Sequence, residues 1–338
     1  MAEKEEPPAS ALLVDEAGQR IPYYGPNGRP SDWKWFEFRS DVFGFTIASS
    51  SKFLAGGIEF TPLRRNILNL RSSEDRMNPP LWGRARVKIA ASQWSEALNL
   101  AHEGVFRFAS DILTFAQGCP VFFRNIKFAD STAVYYCEGW GRAGFTWNQK
   151  PVVRVDKTKE FFDRAMGKVS EPDFNDQTRT IEALFWINES ARSINSTEEL
   201  RFAMNWLGLE TLAFAERQRK GDSGYSSSSE LESLLIMVRR WAREHKMEND
   251  ASSRLINRIK EFDSPTPYDK VLRLCSELNI HLEKPELRRI VSTWNKIHHE
   301  PWGAVPLLSD VHKNLEAITA KCICATLGMD PAVYLVSM

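Results

Sequence analysis

Residues 294–303 read WNKIHHEPWG, so Asn295, His298 and His299 fall within two helical turns of one another just before Pro301. With successive residues 100° apart on a helix, Ser292, Asn295 and His299 share one face. Arg288 falls almost directly behind Asn295, and His298 sits on the neighbouring face. The helix is expected to end near His299, because Pro301 disfavours the α conformation at Glu300. The histidines then meet the negative end of the helix dipole, where cationic groups are favoured. Histidine, with an ordinary pKa of about 6.5, can move a proton or hold a phosphate oxygen near neutral pH. The same positions also suit C-terminal caps that bond the last free carbonyls. Adjacent histidines on a helix point apart, and no Cys, Asp or Glu cluster at ligand spacing accompanies them, so neither a metal nor a cofactor is expected.

The elements that must carry these residues are helical. TRTIEALFWINESARSI (178–194) has helical spacing, and Ser196 with Glu199 forms a capping-box pattern for a helix running to about Arg219. That helix turns Phe202, Trp206, Leu209 and Leu212 to one face. The Gly- and Ser-rich segment 221–229 reads as a loop. Helices are expected at 230–246, 250–262, 267–279, 285–299 and 306–327, with Pro285 in a first turn and Gly328 closing the last. The C-terminal half, 174–328, is therefore a bundle of about six helices.

The N-terminal half differs. Residues 1–30 read as a flexible arm rich in Pro, Gly and charge. Across 31–168 the short aromatic and β-branched runs 33–49, 120–128, 132–140 and 151–157 read as strands. Between them, 92–118 has helical apolar spacing and closes on Gly118. The expected fold class is α+β: a mixed strand and helix domain followed by an all-α bundle.

Composition is globular: 43% hydrophobic, 26% charged and 11% aromatic residues over 338 positions. Basic and acidic residues balance at 44 each, so any contact with a polyanion must be local. The five cysteines are scattered without zinc spacing, which fits a reducing compartment. No apolar run approaches a membrane span and the N-terminus does not read as a signal peptide, so a cytoplasmic, soluble protein with no membrane partner is expected. RRWAREHK (239–246) could track a phosphate backbone or simply be a solvated helix face. The aromatics of 33–38 and 140–147 could stack bases or pack a core.

Two segments together carry a family likeness. IEALFWINESARSINSTEELRFAMNWLGLETLAFAE (181–216), followed by a flexible insertion and a helix ending WNKIHHEP, resembles the Apea-like branch of the HEPN domains. The likeness covers about 174–328. It implies a helical bundle that dimerises, with motif helices from two subunits facing one cleft. Many active members of that family are metal-independent endoribonucleases of phage defence or toxin systems.

On this resemblance Asn295 matches the motif's polar residue and His299 its histidine, or His298 if the register differs by one. Leu209–Glu210, with Trp206 nearby, matches an LE-type step of the family, in which the acidic residue, here Glu210, often lies near the motif helix. The motif arginine falls on Trp294, whose indole offers one N–H and a stacking face rather than a guanidinium fork. Arg288 or Arg289 could replace it, although Arg288 lies about 16 Å along the helix axis from His299. Two functions follow as expectations. One is a ribonuclease whose N-terminal domain senses a trigger or partner; the other is a non-catalytic bundle that binds RNA, a nucleotide or a protein.

Overall fold

The computed structural model describes residues 34–44, 52–63, 81–128, 151–192, 197–220, 228–263, 265–299 and 308–336. Five antiparallel strands form one sheet: β1 (Lys34–Phe43), β2 (Phe53–Ala55), β3 (Ile58–Pro62), β4 (Leu81–Ala91) and β5 (Phe122–Phe128), in the order β2-β3-β4-β1-β5. Alternation sets the two faces. Phe38, Val42, Phe60, Val87 and Ile89 point into the core. Glu37, Glu59 and Arg86 point outward, where Arg86 bonds Glu59 at 2.9 Å and Glu37 at 3.4 Å. The register places Arg86 opposite Glu59 and Glu37 opposite Lys88, two pairs of opposite charge across strands, while Arg39, opposite Arg86, turns to Glu37 on its own strand.

The β2–β3 hairpin turns at Gly56 and Gly57, both at positive φ, as a tight two-residue turn requires. A Cβ on Gly56 would meet Met166 Cγ at 2.6 Å, and its N–H donates to Asp163. Glycine here therefore satisfies both the turn and the close docking on the following helix.

The expected helix 92–118 is three pieces: α1 (Trp94–Asn99), a π-helical turn (Leu100–Phe106) and α2 (Arg107–Gln117), ended by Gly118 at φ 62°. It buries Ala101, Val105, Ile112 and Phe115. The run 151–157 is not a strand. Val153 makes one isolated bridge to Leu335, and Val155–Lys157 form a single 3-10 turn. Behind it lies a helix that the polar composition concealed, α3 (Thr158–Val169), and then the short α4 (Phe174–Thr178). The segments 132–140 and 140–147 lie outside the described residues, as does Ser196.

The C-terminal helices fall close to expectation: α5 (Thr180–Arg192), α6 (Glu198–Lys220), α7 (Ser228–Glu244), α8 (Asn249–Asp263), α9 (Pro267–Glu277), α10 (Lys284–His299) and α11 (Leu308–Thr326). A short α12 (Pro331–Tyr334) follows, N-capped by Asp330. Helix α6 is the axis of this half, packed against α5, α9, α10 and α11. Its buried positions Phe202, Trp206, Leu209 and Ala213 recur every three or four residues, which makes one continuous inner face. Gly208 lets α5 approach closely, because a Cβ there would lie 2.9 Å from Ile187 Cγ1 and 3.1 Å from the Ala183 carbonyl.

The two halves share one apolar core. Asn188 on α5 donates to the Asp111 carbonyl of α2 at 2.9 Å, and Tyr334 on α12 returns to α3, donating to Glu160 at 2.6 Å. Among the described residues no helix is long and apolar enough to cross a membrane.

Candidate functional site

Helix α10 begins with Lys284 and Pro285, carries Glu286 in its first turn, and places Lys296, His298 and His299 in its last, the charge order that a helix dipole favours. Leu287, Ile290, Thr293 and Ile297 are buried and anchor one face to the bundle. The opposite face is the one the spacing singled out. Arg288, Val291, Ser292, Asn295, Lys296 and His299 form one wall of a concavity of about 690 Å³.

The facing wall is the start of α9. Thr266 and Tyr268 complete the lining. Thr266 is the N-cap of α9 and shares a reciprocal capping box with Asp269, which fixes the helix's first turn and so the place of Tyr268. The concavity is open to solvent, and Arg288, Ser292, Asn295, Lys296 and His299 are all exposed along it. Among the described residues its lining contains two permanent cations, a histidine and no carboxylate. That set attracts an anion and can donate several hydrogen bonds to it.

Arg288 and His299 thus border the same concavity within one chain, although they sit about 16 Å apart along the axis. Lys296 supplies a positive charge one turn from His299, and the sequence reading missed it. Its place was available in the spacing, since Lys296 lies four residues beyond Ser292. Tyr268 and Thr266 could not have been found that way, because they come from another helix.

The remaining candidates lie elsewhere. His298 stands off the lining, its ring 5.5 Å from Trp294 and 4.8 Å from His299. Arg289 is exposed but does not line the concavity. Glu210 is half-buried on α6, also outside the lining. Trp294 points the other way, into the bundle, where its ring stacks on Trp206 at 6.0 Å with 23° between planes. Among the described residues no group of three His, Cys, Asp or Glu gathers in the manner of metal ligands.

The packing of Trp294 gives a first prediction. Trp294→Arg would place a guanidinium against Trp206 instead of in the concavity. We expect it to lower stability by about 1–3 kcal/mol, read as a lower midpoint in denaturant, with no gain in anion affinity. A variant as stable as the parent that binds anions more tightly would show that position 294 can reach the concavity.

A second polar cluster lies deep in the bundle and was not anticipated. Asn205 of α6 donates to Ser190 Oγ on α5 at 2.8 Å and pairs with His312 Nε2 on α11 at 2.9 Å. Glu316 approaches His312 at 3.4 Å and Arg201 at 3.8 Å. Burial, then the nearby Arg201 charge, pushes His312 down to about 4. Burial pushes Glu316 up against the opposing pull of Arg201. The cluster joins α5, α6 and α11. Elsewhere in the core Cys275 and Cys322 meet at 3.9 Å between sulfurs, and Cys324 is buried as well, so these thiols pack as small apolar side chains.

Compared with protein-family models, with characterised proteins and with solved structures, the chain matches none.

Proposed function

We propose that the α9–α10 concavity binds the phosphodiester backbone of RNA and that His299, with Lys296, cleaves it without a metal ion. The observation that carries this reading is the single exposed wall of Arg288, Ser292, Asn295, Lys296 and His299, cationic and, among the described residues, free of carboxylates. Cations position a phosphate backbone, and Tyr268 offers a ring on which an unpaired base can stack.

The chemistry uses the RNA's own nucleophile. His299 takes the proton of the 2′-hydroxyl as its oxygen bonds to phosphorus, and the bond from phosphorus to the 5′-oxygen breaks. The 5′-oxygen takes a proton from water, which the open concavity admits, and the hydroxide left behind takes the proton from His299, restoring water and the neutral imidazole. Products are a 2′,3′-cyclic phosphate and a 5′-hydroxyl. Lys296 stabilises the negative charge gathering on phosphorus, and Asn295 and Ser292 donate to its non-bridging oxygens. The helical half thus cuts RNA while the α+β half senses a trigger, as expected of a phage-defence or toxin-like ribonuclease.

A second reading, an RNA-binding bundle without turnover, is favoured by two observations: His299 is the only histidine in the lining, and the position matched to the motif arginine is committed to Trp206. One experiment separates the two. Labelled single-stranded RNA is titrated with the full chain in chelator, following anisotropy and product together. The first reading expects cleavage that falls by about 10²–10⁴ in His299→Ala. It also expects binding that weakens in Arg288→Ala and Lys296→Ala, each lowering the salt slope by about 0.7. Binding without cleavage establishes the second reading. No binding by the parent protein ends both.

A further inference from the structure

The outward face of the sheet gathers positive charge that the α9–α10 site does not use. Arg84, Arg86 and Lys88 stand at every second residue of β4, so their side chains leave the same face about 7 Å apart. The register sets Arg39 of β1 beside Arg86, and Arg124 of β5 across Asp41 from Arg84. Lys52, just before β2, reaches Glu59 at 2.6 Å on the same face. Three carboxylates lie among these cations. Glu37 holds Arg39 at 3.0 Å and Arg86 at 3.4 Å, Glu59 holds Arg86 at 2.9 Å, and Asp41 lies 3.8 Å from Arg84. Six cations thus stand against three carboxylates among the described side chains of this face, in a chain whose formal net charge is zero.

We propose that this face binds a single strand of nucleic acid, with its phosphates along the β4 cations, and that such a strand is the ligand of the α+β half. Arg84 and Arg39 are 71% and 54% exposed, and Lys88 is exposed as well, so a ligand can reach them. The carboxylates orient the cations without cancelling them: Arg86 is gripped by Glu37 and Glu59 together, while Arg84 reaches Asp41 only at 3.8 Å. Two partly exposed rings, Trp35 and Phe43, mark the two ends of β1 on the same side, and Arg124 lies over the Phe43 ring at 5.6 Å. A nucleic-acid strand alternates a charged phosphate with a planar base, and it is held where a row of cations runs beside rings on which bases stack. An acidic protein surface has no such repeat.

A duplex fits this face less well. Its bases are read in grooves that admit a helix or a two-stranded ribbon, and the face of a five-stranded sheet enters neither. The cations of β4 span about 14 Å, room for a few phosphates, so binding is expected to be modest and to fall as salt rises. No sheet residue lines the α9–α10 concavity, so the proposal stands whether or not that site cuts RNA.

Fluorescence anisotropy of a labelled single-stranded DNA oligonucleotide tests it, since DNA lacks the 2′-hydroxyl and stays intact. The full chain carries Arg288→Ala and Lys296→Ala, which remove the cations of the α9–α10 concavity, so the binding that remains reports the sheet. That background is expected to bind the strand. Adding Arg84→Thr and Lys88→Thr weakens binding by about tenfold or more and lowers the salt slope by about 1.4, two phosphate contacts' worth. The unfolding midpoint stays unchanged, because both positions are exposed and threonine suits a strand. No binding in that background overturns the proposal. So does binding indifferent to the two threonines, or a duplex of the same sequence bound as tightly as the single strand. Polyglutamate bound in place of the oligonucleotide, and lost with the two threonines, would assign the face to an acidic protein instead.

Discussion

Trp206→Ala is expected to unfold the helical half at room temperature or bring it to the edge of unfolding. Trp206 is fully buried at the centre of α6, the helix against which α5, α9, α10 and α11 pack. Removing its indole leaves a cavity that surrounding helices cannot close without shifting, and substitutions of this kind cost about 3–5 kcal/mol. A domain's whole stability is about 5–15 kcal/mol. The change also removes the ring against which Trp294 stacks, so α10 loses its inner support and the concavity its fixed wall. The midpoint of urea unfolding, followed by tryptophan fluorescence and circular dichroism, measures the loss. Trp206→Phe, which keeps an aromatic ring in the same place, is expected to lose less. Equal midpoints for Trp206→Ala and the parent would mean that α6 is not the axis of the bundle.

The second large effect is on pH. An unfolded histidine has a pKa near 6.5, whereas folded His312 is pushed down to about 4 by burial and by Arg201. Between those values the unfolded chain binds a proton that the folded chain refuses, so unfolding becomes easier as pH falls. The contribution is fully present above pH 6.5 and is lost progressively down to about pH 4, amounting to about 3 kcal/mol over the whole window. The geometry explains the refusal. Asn205 donates its amide N–H to His312 Nε2, so a proton on that nitrogen would face another donor.

The charged groups around the imidazole are Arg201 and Glu198 of α6 and Glu316 of α11. Glu316, raised by burial, has the opposite sign: it favours the folded state below its unfolded pKa and loses that contribution as pH rises. It acts against the His312 slope wherever the two titrations overlap. His312→Gln keeps an acceptor towards Asn205 and removes the titration. Denaturation midpoints at several pH values between 7 and 4 should therefore fall more steeply for the parent than for the variant. Parallel curves would mean that His312 is protonated inside the fold.

The RNA-cutting reading and the strand-binding sheet face stand on different surfaces, and each has its own test. The wall of α10 explains why Lys296 and Arg288 belong with His299 in any such test, since a variant lacking the histidine alone leaves two cations in place to hold RNA. Binding and cleavage then separate cleanly.

Where local rules govern, the sequence was nearly sufficient. A helix is recognised from spacing along one stretch of chain, and α5 to α11 fall close to the expected boundaries because their apolar stripes, Pro285 and Gly328 are local signals. The face carrying Arg288, Ser292, Asn295 and His299 followed from 100° per residue alone. Strand order did not. Pairing β1 with β4 and β5 joins residues far apart in sequence, and the β2–β3 hairpin and β4 carry weaker local signals than a helix does.

The same division runs through the site. Sequence placed the polar wall on α10, but only packing could bring Tyr268 and Thr266 of α9 opposite it. The resemblance to HEPN domains would set Trp294 at the motif's arginine, but only the stacking on Trp206 decided that the ring faces inward. His312, Asn205, Ser190 and Arg201 carry no motif and lie on three helices, so their shared burial became visible only once α5, α6 and α11 were assembled. Spacing determines which side chains share a face of one helix; which face meets which is settled by the search of the whole chain for a place to bury its apolar surface.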